Sequence, residues 1–135
     1  MTNHRTELWW GYVKRILYYY PELKAKEKEL HETAVTASYG GAATGGQSGD
    51  KVSRAAMREL PLIEKNYVEQ VEKTIKEFSI KENGAETLRI IDLVYFKKTH
   101  KLYGAAQEIY TSERSARRMH SRFLRALADN LDLTY

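Results

Sequence analysis

Arg114, Arg117, Arg118, Arg122 and Arg125 crowd into one short segment near the carboxyl end of this 135-residue chain. A guanidinium is always charged, and its planar fork of donors matches phosphate oxygens or the O6/N7 edge of guanine. At about 100° of rotation per helical residue, Arg114, Arg118, Ser121 and Arg125 share one side, with Arg117 and Arg122 on its flanks. Ala116, Met119, Phe123 and Leu127 gather in the opposite sector, with Ala126 just outside it. An apolar stripe backed by an arginine ridge predicts a helix that is packed on one side and offers cations on the other. Residues 97–127 hold eight basic side chains, Lys97, Lys98 and Lys101 among them, against only Glu108 and Glu113. That surplus of +6 leaves the rest of the chain at −2 of the +4 total, so a polyanionic partner is expected at one end of the molecule.

Other chemistries find little support. The chain has no cysteine, which excludes disulfides, thiolate metal sites and thiol nucleophiles. His4, His31, His100 and His120 lack metal-ligand spacing; His120 falls at the edge of the core stripe, and His100 lies beside the basic cluster, within reach of a phosphate. Gly41 to Ser48 resembles a phosphate-binding loop with Gln47 in place of the lysine, but such a loop needs a preceding strand and the lysine charge. No nucleophile, base and orienting group are brought together, so neither an enzyme nor a bound cofactor or metal is expected.

The arginine ridge needs an element to brace it. Leu102, Ala105, Ala106 and Ile109 repeat at helical intervals just upstream, and the adjacent alanines suit a close, steep crossing of two helices. Tyr110, Thr111 and Ser112 then form a short turn. Ser112 stands where an N-cap is wanted, and Glu113 places a carboxylate at the positive end of the helix dipole. The spacing predicts a helix-turn-helix over roughly residues 100–127.

Upstream the periodicity is helical throughout. Leu8, Trp9, Val13, Ile16, Leu17 and Tyr20 mark an amphipathic helix over 5–19. Pro21 predicts a break at Tyr20 and a second, highly charged helix over about 21–37. Five glycines within residues 40–49 predict a flexible linker or loop. A long helical region over 51–79 carries a stripe of Leu60, Ile63, Tyr67, Val71, Ile75 and Phe78, kinked or restarted at Pro61. Asn83-Gly84 signals a turn, and the apolar helix over 85–97 should lie in the middle of the fold. The expectation is an all-α protein, with residues 1–83 as a helical scaffold and 84–135 as the unit bearing the helix-turn-helix. Trp9, Trp10, Tyr12, Tyr18, Tyr19 and Tyr20 are read first as core packing; Trp9, Trp10, Tyr12 and Tyr19 are also the candidates for a partner surface. No apolar run approaches a membrane span and no secretory signal is evident, so a cytoplasmic location is expected.

The run from Tyr95-Phe96 through Leu102–Ile109, Ser112-Glu113-Arg114-Ser115-Ala116-Arg117-Arg118-Met119 and Arg125-Ala126-Leu127 resembles the C-terminal part of RinA/ArpU-type phage late-gene transcription regulators. It is also similar to the helix-turn-helix of sigma-factor region 4. Upstream, Tyr19-Tyr20-Pro21-Glu22-Leu23, the glycine-rich insertion and the long helix after it are arranged as in RinA-type proteins. The resemblance implies a sequence-specific regulator that binds a promoter in a bacterial host and activates late genes for packaging, morphogenesis or lysis. It further implies Ser112, Arg114, Arg117, Arg118 and Ser121 as recognition-helix residues. One departure stands out: the family's turn often holds glycine where this chain has Tyr110, which predicts a looser or differently shaped turn.

The site expected for double-stranded DNA therefore comprises Lys101, Ser112, Glu113, Arg114, Arg117, Arg118, Ser121, Arg122 and Arg125. RNA polymerase or a second copy of the chain would meet the aromatic residues. Two rival readings are a small-terminase-type DNA-packaging protein and a helical interaction module that touches no nucleic acid.

Overall fold

The computed structural model describes residues 8–43 and 59–133, and the side chains of 8–32 and 59–133. Among the described residues the protein is all-α, with five helices and no strands. In chain order these are α1 (Leu8–Ala43), α2 (Leu62–Ser79), α3 (Gly84–Ile91), α4 (Leu102–Glu108) and α5 (Glu113–Asn130). Between α3 and α4, Asp92–Phe96 forms one widened π-helical turn, closed by the Lys97 N–H donating to the Asp92 carbonyl at 2.7 Å.

α1 does not break at Pro21, contrary to the sequence expectation. A proline inside a helix removes one backbone hydrogen bond and crowds the carbonyl four residues earlier, at about 3 kcal/mol. Tertiary contacts on both sides of Pro21 offset that loss. Leu17 is fully buried before it, and Tyr20 packs its ring at a tilt against Phe96, centroids 5.1 Å apart, and donates a 2.8 Å hydrogen bond to Glu72. Beyond the proline, Lys24 pairs with Glu72 at 3.0 Å and Lys26 with Glu64 at 3.8 Å, holding the segment along α2. The helix also runs on through Gly40–Ala43, the first residues of the stretch expected to be a linker. The remainder of that stretch, and residues 51–58 of the expected long helix, lie outside the described residues.

Glu59 and Leu60 are not helical, and α2 begins only after Pro61, whose fixed φ suits a helix start. The expected stripe on α2 is rotated slightly. Leu60, Val71 and Phe78 are buried as foreseen, but Ile63 is 60% exposed while Val68 and Thr74 lie inside. The reason is that α2 faces α1 on one side and α5 on the other. Thr74 satisfies its hydroxyl within that seam by donating to the Gln70 carbonyl and accepting from Asn130 of α5, both at 2.8 Å.

Two apolar clusters share α5. The larger joins Trp9, Val13, Ile16 and Leu17 of α1 to Val71 and Phe78 of α2, Ile91, Tyr95, and Phe123, Leu124, Leu127 and Ala128 of α5. The smaller joins Ile90 and Leu93 to Ala105 and Ala106 of α4 and Ala116 and Met119 of α5. The apolar region around residues 88–96 is thus central, as expected. His120 is buried and not at an edge: it stacks on Tyr95 with rings 6° from parallel, and the Tyr95 hydroxyl bonds its Nε2. Trp10 meets the same imidazole edge-on at 5.7 Å.

Burial pushes several phenol groups up from their ordinary pKa of 10.0. For Tyr20 the cause is burial followed by the Glu72 carboxylate; for Tyr95 it is burial followed by the Tyr18 hydroxyl. Tyr67 is pushed up to about 12 by burial and by its hydrogen bond with Tyr12. The folded state therefore holds these protons more tightly than the unfolded state. Their contribution to stability is fully present below the ordinary value of 10.0 and declines as pH rises beyond it. Urea denaturation is expected to show a midpoint that falls steeply above pH 10.0, and Tyr95→Phe should blunt that fall.

Candidate nucleic-acid interface

α4 and α5 form the basic end of the molecule. Their contact is built from small side chains: Ala105 and Ala106 on α4 and Ala116 on α5 are all buried, and Leu102 and Ile109 close its margins. With no bulk at the crossing, the two backbones approach closely, and α5 is held with one side packed and the other facing solvent.

The connection between them is a tight reversal. The Tyr110 N–H donates to the Gln107 carbonyl at 3.1 Å, and the Thr111 N–H donates to the Ala106 carbonyl at 2.9 Å. This pair of bonds is a Schellman motif, which requires a left-handed residue just past the helix. Tyr110 takes that conformation with φ of 57°. The expectation of a looser turn is overturned: tyrosine adopts the backbone that glycine usually supplies, because the crossed bonds satisfy two carbonyls at the end of α4. Ser112 caps α5 as foreseen, its Oγ accepting from the Ser115 N–H at 3.1 Å.

The outer face of α5 carries Arg114, Arg118, Arg122 and Arg125, all exposed, with Ser121 half-buried at its edge. Among the described residues Arg114, Arg118 and Arg122 make no ion pair or side-chain hydrogen bond. Arg117 differs. It donates to Glu113 at 2.8 Å one turn away, which neutralises its charge locally and gives Glu113 a partner within the helix. Lys101 is exposed immediately before α4, and Ser112 is exposed at the head of α5. The structure thus gathers the expected set Lys101, Ser112, Glu113, Arg114, Arg117, Arg118, Ser121, Arg122 and Arg125 on α4, α5 and their flanks.

The +6 surplus read along the sequence is not one surface. Lys97 pairs with Asp92 at 3.3 Å, and Lys98 reaches back to α1, near Glu22 at 4.0 Å and over the Tyr18 ring at 5.7 Å. His100 faces Glu108 at 3.8 Å and bonds the Thr99 hydroxyl at 2.8 Å, so it already has partners on the protein. Of that surplus, the cations left without a protein partner among the described residues are Arg114, Arg118 and Arg122 of α5, and Lys101.

The aromatic candidates divide. Trp9 is 8% exposed in the larger core and is unavailable as a partner surface, a correction that follows from the second side α1 presents, toward α5. Trp10 is half-buried against Trp9 and His120. Tyr12 and Tyr19 are exposed and line a groove of about 430 Å³ between α1 and α2, together with Ile16, Leu23 and Tyr67. Sequence reading missed a further feature: Tyr103, Gln107 and Tyr110 all stand exposed on the outer side of α4 and its turn. Their spacing at i, i+4 and i+7 was the available signal.

Among the described residues no three acidic, histidine or cysteine side chains are grouped as metal ligands, and no helix is long and apolar enough to cross a membrane. Comparison with known protein families, curated proteins and solved structures returns no match for this chain.

Proposed function

We propose that the protein is a sequence-specific, DNA-binding transcription regulator whose α4 and α5 act as a helix-turn-helix. In this reading α5 enters the major groove by its N-terminal half, where Arg114 and Arg118 meet base edges, while Lys101, Arg122 and Arg125 meet phosphates. Arg117, held by Glu113, flanks the groove. α1, α2 and α3 carry the α4–α5 pair through the shared core. The resemblance to RinA/ArpU-type regulators extends the proposal to activation of phage late genes.

The observation that carries the reading is the row of exposed arginines without protein partners, Arg114, Arg118 and Arg122, on a helix whose opposite face is locked into the core. A solvated surface helix commonly pairs its cations with carboxylates one turn away, as Arg117 does. Leaving three guanidiniums in one row unpaired concentrates positive potential where a polyanion would release counterions on binding.

Selection from a random-sequence duplex pool tests it: recovery of one enriched motif is expected, and a pool that stays random after repeated rounds would rule the reading out. On the enriched site, Arg125→Ala should weaken binding evenly across sequences and flatten the plot of log affinity against log salt by about 0.9, the loss of one phosphate contact. An unchanged slope would remove Arg125 from the backbone contacts.

A further inference from the structure

The turn between α4 and α5 is held by the wrong residue for its geometry. The Schellman position wants a side chain that tolerates positive φ, and glycine does so freely. Tyr110 sits there at φ 57°, so its backbone is strained. Packing does not repay that strain, because Tyr110 is 96% exposed. The two backbone bonds of the turn would form equally well with glycine, and among the described residues the Tyr110 hydroxyl has no hydrogen-bond partner, so the side chain itself gains nothing within the protein. A large amphipathic side chain is held outward, two residues before the Ser112 cap, at a place where the fold alone would be better served by none. Strain tolerated without a return in packing is a pointer to a contact made with something else.

The surroundings define what that contact is. Tyr110 adjoins the end of α5 from which Arg114 and Arg118 project, and it continues the exposed side of α4 that carries Tyr103 and Gln107. Gln107 donates to the Tyr103 hydroxyl at 3.2 Å, which leaves that hydroxyl's own proton free to be given outward. Two phenol donors therefore line the rim beside the arginine row. In a duplex the π faces of the bases are closed by stacking, whereas phosphate oxygens line both edges of the groove and accept from tyrosine hydroxyls.

We infer that Tyr110 is a DNA-backbone contact whose hydroxyl donates to a phosphate oxygen at the rim of the groove that α5 enters, with Tyr103 beside it on the same strand. This rests on the reading of α5 as the recognition helix. The contact is neutral, so it adds affinity without releasing a counterion, and it is indifferent to base sequence.

The test uses the full chain and a fluorescein-labelled random-sequence duplex, followed by anisotropy over a range of salt, beside thermal melting of each variant. Tyr110→Gly is expected to melt at a higher temperature than wild type and yet bind about tenfold more weakly. Tyr110→Phe should lose the same affinity with the salt slope unchanged, since only a neutral donor is gone. If Arg122→Ala weakens binding while both Tyr110 variants bind like wild type, the tyrosine contact is wrong and the helix assignment survives. If Tyr110→Phe retains affinity and Tyr110→Gly does not, the hydroxyl is not the donor. A lower melting temperature for Tyr110→Gly would refute the strain on which the argument turns. Wild-type protein that binds no duplex at any salt would overturn the contact together with the functional reading.

Discussion

Gly84→Ala is expected to destabilise the protein by about 3 kcal/mol, the upper end for overpacking a close contact, and to lower its urea midpoint accordingly. Ordinarily the same exchange in a helix is favourable by about 0.5–1 kcal/mol, because alanine has less backbone entropy to lose. Gly84 opens α3, directly after the left-handed Asn83, and is itself buried. A Cβ built there would lie 1.7 Å from the Phe78 carbonyl oxygen at the end of α2. The obstacle is backbone and not the tip of a flexible side chain, so α2 and α3 would have to move apart. That movement would pull Phe78 from its contact with Phe123, 5.1 Å away in the larger core. Gly11→Ala is the matched control: nothing lies within 4 Å of its position, and the ordinary gain is expected. If both variants shift stability in the same direction, the close approach of α2 to α3 is not what retains glycine at position 84.

Replacing Arg114 and Arg118 together by alanine is expected to weaken binding to the enriched duplex by about 3 kcal/mol, on the order of 100-fold, and to relax base preference at the positions they read. Both side chains are exposed and neither has a partner on the protein among the described residues, so melting temperature should hold. That separation matters, because the opposite face of α5 is core: truncating Phe123 or Leu127 would also abolish binding, but by unfolding the helix that carries the arginines. A gel-shift titration of the double variant beside its melting curve distinguishes the two. Undiminished affinity in a folded double variant would move the base contacts off α5.

How far these expectations could be read in advance differs along the chain. The alanine pair Ala105-Ala106, the cap at Ser112 and the alternation of Ala116, Met119, Phe123 and Leu127 with arginines were legible because each is local: helix period, capping chemistry and side-chain size act within a few residues. Even there the stripe was drawn too narrow. Leu124 and Ala128 are fully buried because α5 is clasped between two clusters, and one face would suffice only for a helix on a surface.

Where local preference and distant contacts compete, the outcome belonged to the tertiary structure. Pro21 alone argues for a break, and α1 continues only because Tyr20, Lys24 and Lys26 are tied to Glu72 and Glu64 some forty to fifty positions away. Tyr110 alone argues against a tight reversal, and the reversal forms because two carbonyls of α4 must be satisfied. Residue type and spacing thus settled that the chain is helical and that cations line one side of its last helix. Which of those cations stay free was decided by folding, since Lys97 and Lys98 find Asp92, Glu22 and Tyr18, while Arg114, Arg118 and Arg122 pair with none of the described carboxylates. The physical reason is range: helix formation is set by neighbours in sequence, whereas charge pairing is set by neighbours in space.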